Sequence, residues 1–229
     1  MKKSNNSEKK YFINNIRDIR TINKVSWNSC AGDSNPFVSY EFLESLEESK
    51  CISEQTGWIP YHLTVSDNEN SLLACTPLYL KTHSQGEYVF DHSWANALDQ
   101  AGGNYYPKLL VAIPFTPVSG PRLLVRDKEN SDLLKNIMIE HIIEIVKQNN
   151  FSSAHFNFTS NKDNEIFLNK SFLSRIGIQF HWSNDNYVDF NDFLLHLSSR
   201  KRKSIIKERK NSLKGEVEIY TFTGKDIIQ

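Results

Sequence analysis

From Tyr79 to Arg122 the chain packs an unusual density of groups that can do chemistry. Lys81, His83, Glu87, Asp91, His92, Lys108 and Arg122 bring charge or exchangeable protons, while Tyr79, Tyr88, Phe90, Trp94, Tyr105, Tyr106 and Phe115 bring rigid apolar surface. A core strand needs no such mixture, so the stretch reads as a site. Glu87 and Asp91 stand four apart, which on one helix face would pair them for general acid–base work. The residues between them read as strand and turn, however, and Asp91 equally suits the cap of a following helix. Gly86 beside Glu87-Tyr88, and Ser119-Gly120-Pro121-Arg122 behind Phe115-Thr116-Pro117, place bent backbone next to charge. Such corners open main-chain N–H groups to an oxyanion or a phosphate, although two ordinary hairpin turns have the same composition.

Other chemistries find less support. The seven histidines show neither H-x-x-x-H nor H-E-x-x-H spacing, and the three cysteines, Cys30, Cys51 and Cys75, contain no C-x-x-C pair, so no metal site and no disulfide framework is expected. A phosphate-cradling G-x-x-x-x-G-K-[ST] loop and a G-x-S-x-G elbow are both missing from the sequence. With 229 residues, 39% of them apolar, the chain can fill a real core. Its basic amino terminus leads into no apolar segment, and about 18 apolar residues never run together, so the reading is soluble, cytoplasmic and without a membrane span.

The elements that must position the site alternate between the two periods. Residues 1–13 read as a disordered tail. Asn14–Lys24 suits a strand or a short amphipathic segment, and a helix begins near Pro36 or Ser39. Ile59–Ser66 and Ser71–Thr82 form a hairpin about the Asp67–Asn70 turn, and Gly86–Phe90 a further short strand. A helix follows from Asp91 to Gly102, then strands at Leu109–Phe115 and Pro121–Arg126. Ser131–Gln148 carries a wide apolar stripe and reads as the main packing helix, capped by Ser131. After it come a strand at Ser153–Phe158, a helix at Asp163–Gly177, and strands at Gln179–Trp182 and Tyr187–Phe190. The alternation means a layered α/β domain over residues 14–198.

Net formal charge is zero, which hides a polarity. Residues 199–214 hold eight Lys/Arg and one acid, leaving 19 bases against 26 acids elsewhere. This segment reads as a basic helix that either faces water or grips nucleic acid. A strand at Glu216–Phe222 and the start of another helix at Thr223 close the sequence.

Taken together, FVSYEFLESLEESKCISEQTGWIPYHL, PLYLKTHSQGEYVFDHSWANA, AGGNYYPKLLVAIPFTPVSGPRLL and LSSRKRKSIIKERK resemble the FemAB-like peptidoglycan biosynthesis/recognition family of the GNAT acyltransferase superfamily. The resemblance implies a GNAT-like mixed sheet flanked by helices, with residues 199–229 beginning a second such domain that a longer chain or a second polypeptide would complete. It also implies transfer of an acyl or aminoacyl group to an amine, such as that of a cell-wall precursor. The donor, aminoacyl-tRNA or acyl-CoA, would arrive as co-substrate, with no cofactor resident. Carried over by position, Lys81, Tyr88, Trp94, Tyr106, Lys108, Thr116 and Arg122 would line the cleft, with Asp91 or Glu87 as base. Arg200, Arg202, Lys203 and Arg209 would meet phosphates. A non-catalytic binding or remnant domain, and nucleic-acid binding through residues 199–214, are the alternatives.

Overall fold

The computed structural model describes residues 10–126, 130–215 and 218–227. Its contacts divide the chain into the units Met1–Gly177 and Ile178–Gln229. The sequence reading set that boundary at residue 198, and most of its expected amino-terminal tail, residues 1–9, lies outside the described residues.

In the first unit one long hairpin serves two sheets. Its first arm is β2 (Trp58–Pro60) and β3 (His62–Ser66), separated by Tyr61 alone; its second is β4 (Leu72–Thr76) and β5 (Leu78–Lys81), separated by Pro77 alone. Proline donates no ladder hydrogen bond, so the arm divides there. One half builds an antiparallel sheet in the order β1-β3-β4-β7, with β1 at Phe12–Ile16 and β7 at Leu124–Val125. The other builds β2-β5-β6-β8, with β6 (Lys108–Val111) antiparallel to β5 and β8 (Ala154–Phe156) parallel to β6. Because β7 pairs with β4 and β6 with β5, Thr76-Pro77 is where the neighbouring strands part.

Helices cover both faces. On one, α4 (Ser131–Gln148) buries Leu134, Met138, Ile139, Ile142 and Ile145 against Leu63, Val65, Ala74, Leu109 and Val111. Each such side chain contributes about 1.5–3 kcal/mol when fully buried. On the other, α1 (Lys24–Ala31) and α2 (Tyr40–Glu48) pack Trp27, Cys30 and Leu43 on Cys75 and Leu124. The expected α/β class, mixed sheet with flanking helices, is therefore the observed one. Two further helices belong to this unit: α3 (His92–Gln100) and α5 (Asn161–Asn169).

Several local expectations fail for identifiable reasons. Gly86–Phe90 is not a strand: Gly86, Tyr88 and Phe90 all have positive φ, which extended backbone cannot accommodate. Ser131 lies inside α4 as its first residue rather than as its cap. The helix expected through Gly177 stops at Asn169, and Ser171 takes φ 64°. No strand forms at Gln179–Trp182 or Tyr187–Phe190, nor over the described part of the expected terminal strand, residues 218–222; residues 216–217 lie outside the described residues. In α1 the residues Ser26, Asn28 and Ser29 have weak helix propensity, but burial of Trp27 and an Asn23 cap hold the helix.

The second unit contains α6 (Phe190–Leu195) and α7 (Ser199–Ser212), with Ser198 capping α7. Among the described residues no helix is long and apolar enough to cross a membrane.

Candidate functional site: a buried lysine cluster beside an exposed wall of rings

The end of β5 and the start of β6 bring two lysines into register, Lys81 opposite Lys108. Both are fully buried. A buried ammonium needs partners, and the loop after β5 folds inward to supply them. Lys108 Nζ donates to Glu87 Oε2 at 2.9 Å, to Asp91 Oδ2 at 2.7 Å and to Ser84 Oγ at 2.8 Å. The demand for these carboxylates bends residues 84–91 out of the extended form. Asp91 precedes α3, yet its side chain makes no cap hydrogen bond to the helix; Lys108 and the Tyr105 hydroxyl, 2.8 Å away, take it instead.

Two tyrosines link this cluster to the surface. Tyr105 donates to Asp91, and the Tyr106 hydroxyl shares a 2.8 Å hydrogen bond with Ser84. Both also line a recess of about 290 Å³ with Ala95, Asn96 and Asp99 of α3 and with Asn104. A path of hydrogen-bonding groups thus runs from the recess through Ser84 or Asp91 to Lys108 and Glu87. Oε1 of Glu87 and Oδ1 of Asp91 are buried with no hydrogen-bond partner among the described residues.

The electrostatics of the four charges are uneven. Burial, opposed by Glu87 and reinforced by Lys108, pushes the Lys81 ammonium down to about 7; its Nζ sits 3.8 Å above the Trp58 ring and 3.4 Å from the Gln85 carbonyl oxygen. Burial raises Glu87 above the ordinary carboxylate value despite Lys108. For Asp91 burial acts in the same direction, but hydrogen bonds from Lys108, Ser84 and Tyr105 outweigh it and hold the carboxyl well below its usual range. Burial, then Asp91, raises the Tyr105 phenol. His155, edge-on to the Tyr105 ring, is lowered to about 4 by burial and by Lys108, and so is neutral at pH 7.

Around the cluster stand exposed rings. Tyr88, Phe90, Trp94 and Phe115 are 49%, 74%, 57% and 40% exposed, and three of them, Tyr88, Phe90 and Phe115, have φ between 52° and 59°. Bulky residues rarely adopt that conformation, and where they do the surroundings must enforce it. Here Phe115 N–H donates to the Gly86 carbonyl, and a Cβ on Gly86 would lie 2.6 Å from the Phe115 ring. Arg175 stacks on Trp94 at 5.3 Å.

Of the residues singled out in the sequence, Lys81, Glu87, Asp91, Tyr106 and Lys108 share this cluster, and Tyr88 and Trp94 stand on the loop and helix that carry it. Thr116 sits next to Phe115, its hydroxyl bonded to the Pro114 carbonyl. Arg122 goes elsewhere. Fully buried, it donates from its side chain to the carbonyls of Asn157, Pro121 and Val118, while its backbone N–H meets Asp163. In the second unit Arg202 and Arg209 lie on a different face of α7 from Arg200 and Lys203. Sequence reasoning missed Ser84 and Trp58, which become neighbours of the lysines only through strand pairing; Tyr105, read as one more ring, acts through its hydroxyl. Among the described residues no group of His, Cys, Asp and Glu is placed to hold a metal ion.

An α/β domain with a buried, unevenly charged lysine cluster opening through tyrosines to a polar recess has the makings of a catalytic or recognition module. In comparison with known families, the chain matches the FemAB-like family, described as peptidoglycan biosynthesis/recognition, over residues 18–229, and belongs to it. No curated protein matches its sequence. Among solved structures it is similar to glucosamine-6-phosphate N-acetyltransferase from Arabidopsis thaliana, at TM-score 0.40 and 11% identity, covering 77% of this chain and 99% of that one.

Proposed function

We propose that this FemAB-like chain transfers an acyl or aminoacyl group to an amine of a peptidoglycan precursor, at the recess beside Lys108. The supporting observation is the hydrogen-bonded route from Tyr106 through Ser84 and Lys108 to Glu87, whose carboxylate burial has made more basic. An attacking amine must shed a proton as it bonds to the donor's ester or thioester carbonyl. The released proton enters through Tyr106 and Ser84 as Lys108 gives one of its own to Glu87 and takes one from Ser84. The amide forms, and the same groups return the proton to the departing oxygen or sulfur, so that the donor leaves as alcohol or thiol and Glu87 is ionised again. Asp91, held well below the usual carboxylate range, orients Lys108 and Tyr105 by its hydrogen bonds rather than taking the proton. The donor is aminoacyl-tRNA or acyl-CoA, bound only during turnover.

To test this, the purified chain is incubated with each donor and an amine-bearing muropeptide, and the acceptor's mass is read. Transfer is expected, with at least a hundredfold loss in Glu87→Gln, a variant that still accepts the Lys108 hydrogen bond. Complete burial of Lys108, Glu87 and Asp91 favours a second reading, in which the cluster only pins the ring-bearing loop and the domain binds its ligand without converting it. Muropeptide binding with no transfer from any donor would establish that reading and remove the first.

A further inference from the structure

Helix α7 sorts its cations by face. At 3.6 residues per turn, Arg200, Lys203, Lys207 and Lys210 follow each other at steps of three, four and three residues, and so fall within an arc of about 80° over about 15 Å of axis. Lys214 continues the spacing just past the cap at Leu213. All five side chains are exposed. Arg202 and Arg209 lie about 130° round the helix, by the same geometry. Arg202 is half-buried and donates to Ser199 Oγ, while the Arg209 guanidinium lies 4.3 Å from the Phe190 ring of α6. Four of the helix's seven cations, continued by Lys214, thus form a row; Arg202 and Arg209 are spent on contacts within the unit, and Lys201 lies off the row.

The row also runs against the helix's own electrostatics. Arg200–Lys203 occupy the first turn, where the macrodipole favours anions and where α7 has no acid. Stability alone does not favour that placement; an anionic partner does.

We infer that this row binds the phosphate backbone of a duplex nucleic acid, without regard to sequence. The chemistry of the face selects that partner. Insertion at a lipid surface needs an apolar stripe, and the only large apolar side chains in α7 are Ile205 and Ile206, of which Ile205 is half-buried. Grip on a single strand uses aromatic platforms for unstacked bases, and α7 carries no aromatic residue. Regularly spaced cations with no rings and no fork of side chains aimed at base edges suit backbone contact alone. The inference stands apart from the transferase reading, since it needs neither donor nor acceptor.

The test is the salt dependence of binding of the full chain to a fluorescent 20-base-pair RNA or DNA duplex of arbitrary sequence. With up to five phosphates neutralised, log K should fall against log salt with a slope of up to about −4.5. Lys203→Gln/Lys207→Gln/Lys210→Gln, which keeps helix propensity, should flatten the slope by about 2 to 3 and weaken binding at least tenfold at low salt. Arg202→Gln/Arg209→Gln should leave the slope unchanged, with circular dichroism confirming that the helices remain in both variants. A salt-independent affinity, equal losses in the two variants, or binding to anionic phosphatidylserine vesicles but not to duplex would overturn the inference.

Discussion

Two of the buried charge networks of the first unit, around Asp163 and around Lys108, are built on opposite principles. Around Asp163 both carboxylate oxygens are paired: Oδ1 accepts from Lys135 at 2.7 Å, Oδ2 from the Arg122 backbone N–H at 2.9 Å, and the Arg122 side chain is spread over three carbonyls. With Thr76 Oγ1 donating to the Arg122 carbonyl, this network ties the chain before β7 to the point where the sheets part. Around Lys108 the pairing is left incomplete. Each carboxylate keeps one buried oxygen without a partner among the described residues, a second lysine is crowded in, and Lys81 and Glu87 are displaced toward one another in acidity. A brace gains from paired charges; the proton-handling role proposed for the Lys108 cluster needs spare capacity and groups that change charge near neutral pH.

The comparison is broken hardest by deleting the central cation of each. Lys108→Met strands two buried carboxylates and should cost about 3–5 kcal/mol, or roughly 10 °C in melting temperature. Arg122→Met should cost about 2–4 kcal/mol, because buried carbonyls lose donors. The two differ in pH dependence. In Lys108→Met the stranded carboxyls have folded-state pKa values raised above the unfolded ones, so the folded form binds more protons and stability falls as pH rises from about 4. Arg122→Met removes donors to uncharged carbonyls and a charge near Asp163, but leaves Asp163 its bonds from Lys135 and from the backbone N–H, so the slope that it adds should be smaller. Equal pH profiles for the two variants in thermal melts would erase the distinction.

A smaller effect sharpens it. Lys81 has a folded-state pKa of about 7, below the unfolded value of about 10.4, so between those values the unfolded chain binds the extra proton and stability rises with pH. Lys81→Met should abolish that rise and raise stability at pH 7, where the wild-type ammonium is still partly charged in its buried site. Melts from pH 6 to 10 read both. The smallest effect is expected at the ring wall: Trp94→Ala should change stability by no more than about 0.5 kcal/mol while weakening muropeptide binding, measured by calorimetry. An unchanged affinity would take the rings out of the site.

What could be read from the sequence follows the range of the interactions. The hairpin about Asp67–Asn70 and the helix Ser131–Gln148 are written in local turn chemistry and periodicity, and both are present. Lys81, Glu87, Asp91, Tyr106 and Lys108 were legible as a group because one short segment holds them. Their arrangement was not, since it depends on a cross-strand register and on a buried ammonium pulling the 84–91 loop away from its strand-like pattern. The same competition explains Asp91, whose local role as a cap lost to a distant lysine. Arg122 shows the converse: its neighbours Gly120 and Pro121 suggested a ligand corner, while its partners Asn157 and Asp163 lie more than thirty residues on. Beyond Gly177 the apolar patterns of Gln179–Trp182 and Tyr187–Phe190 met no pairing strand among the described residues.

α3 contributes three side chains to the recess yet buries none of its nine residues in the interior. Folding therefore exerts almost no selection on Asn96 and Asp99, and at the site proposed above ligand preference would be set there while the scaffold beneath stays as it is. Exchanging this one helix is the shortest route to changing what the proposed site prefers while its charged interior stays in place.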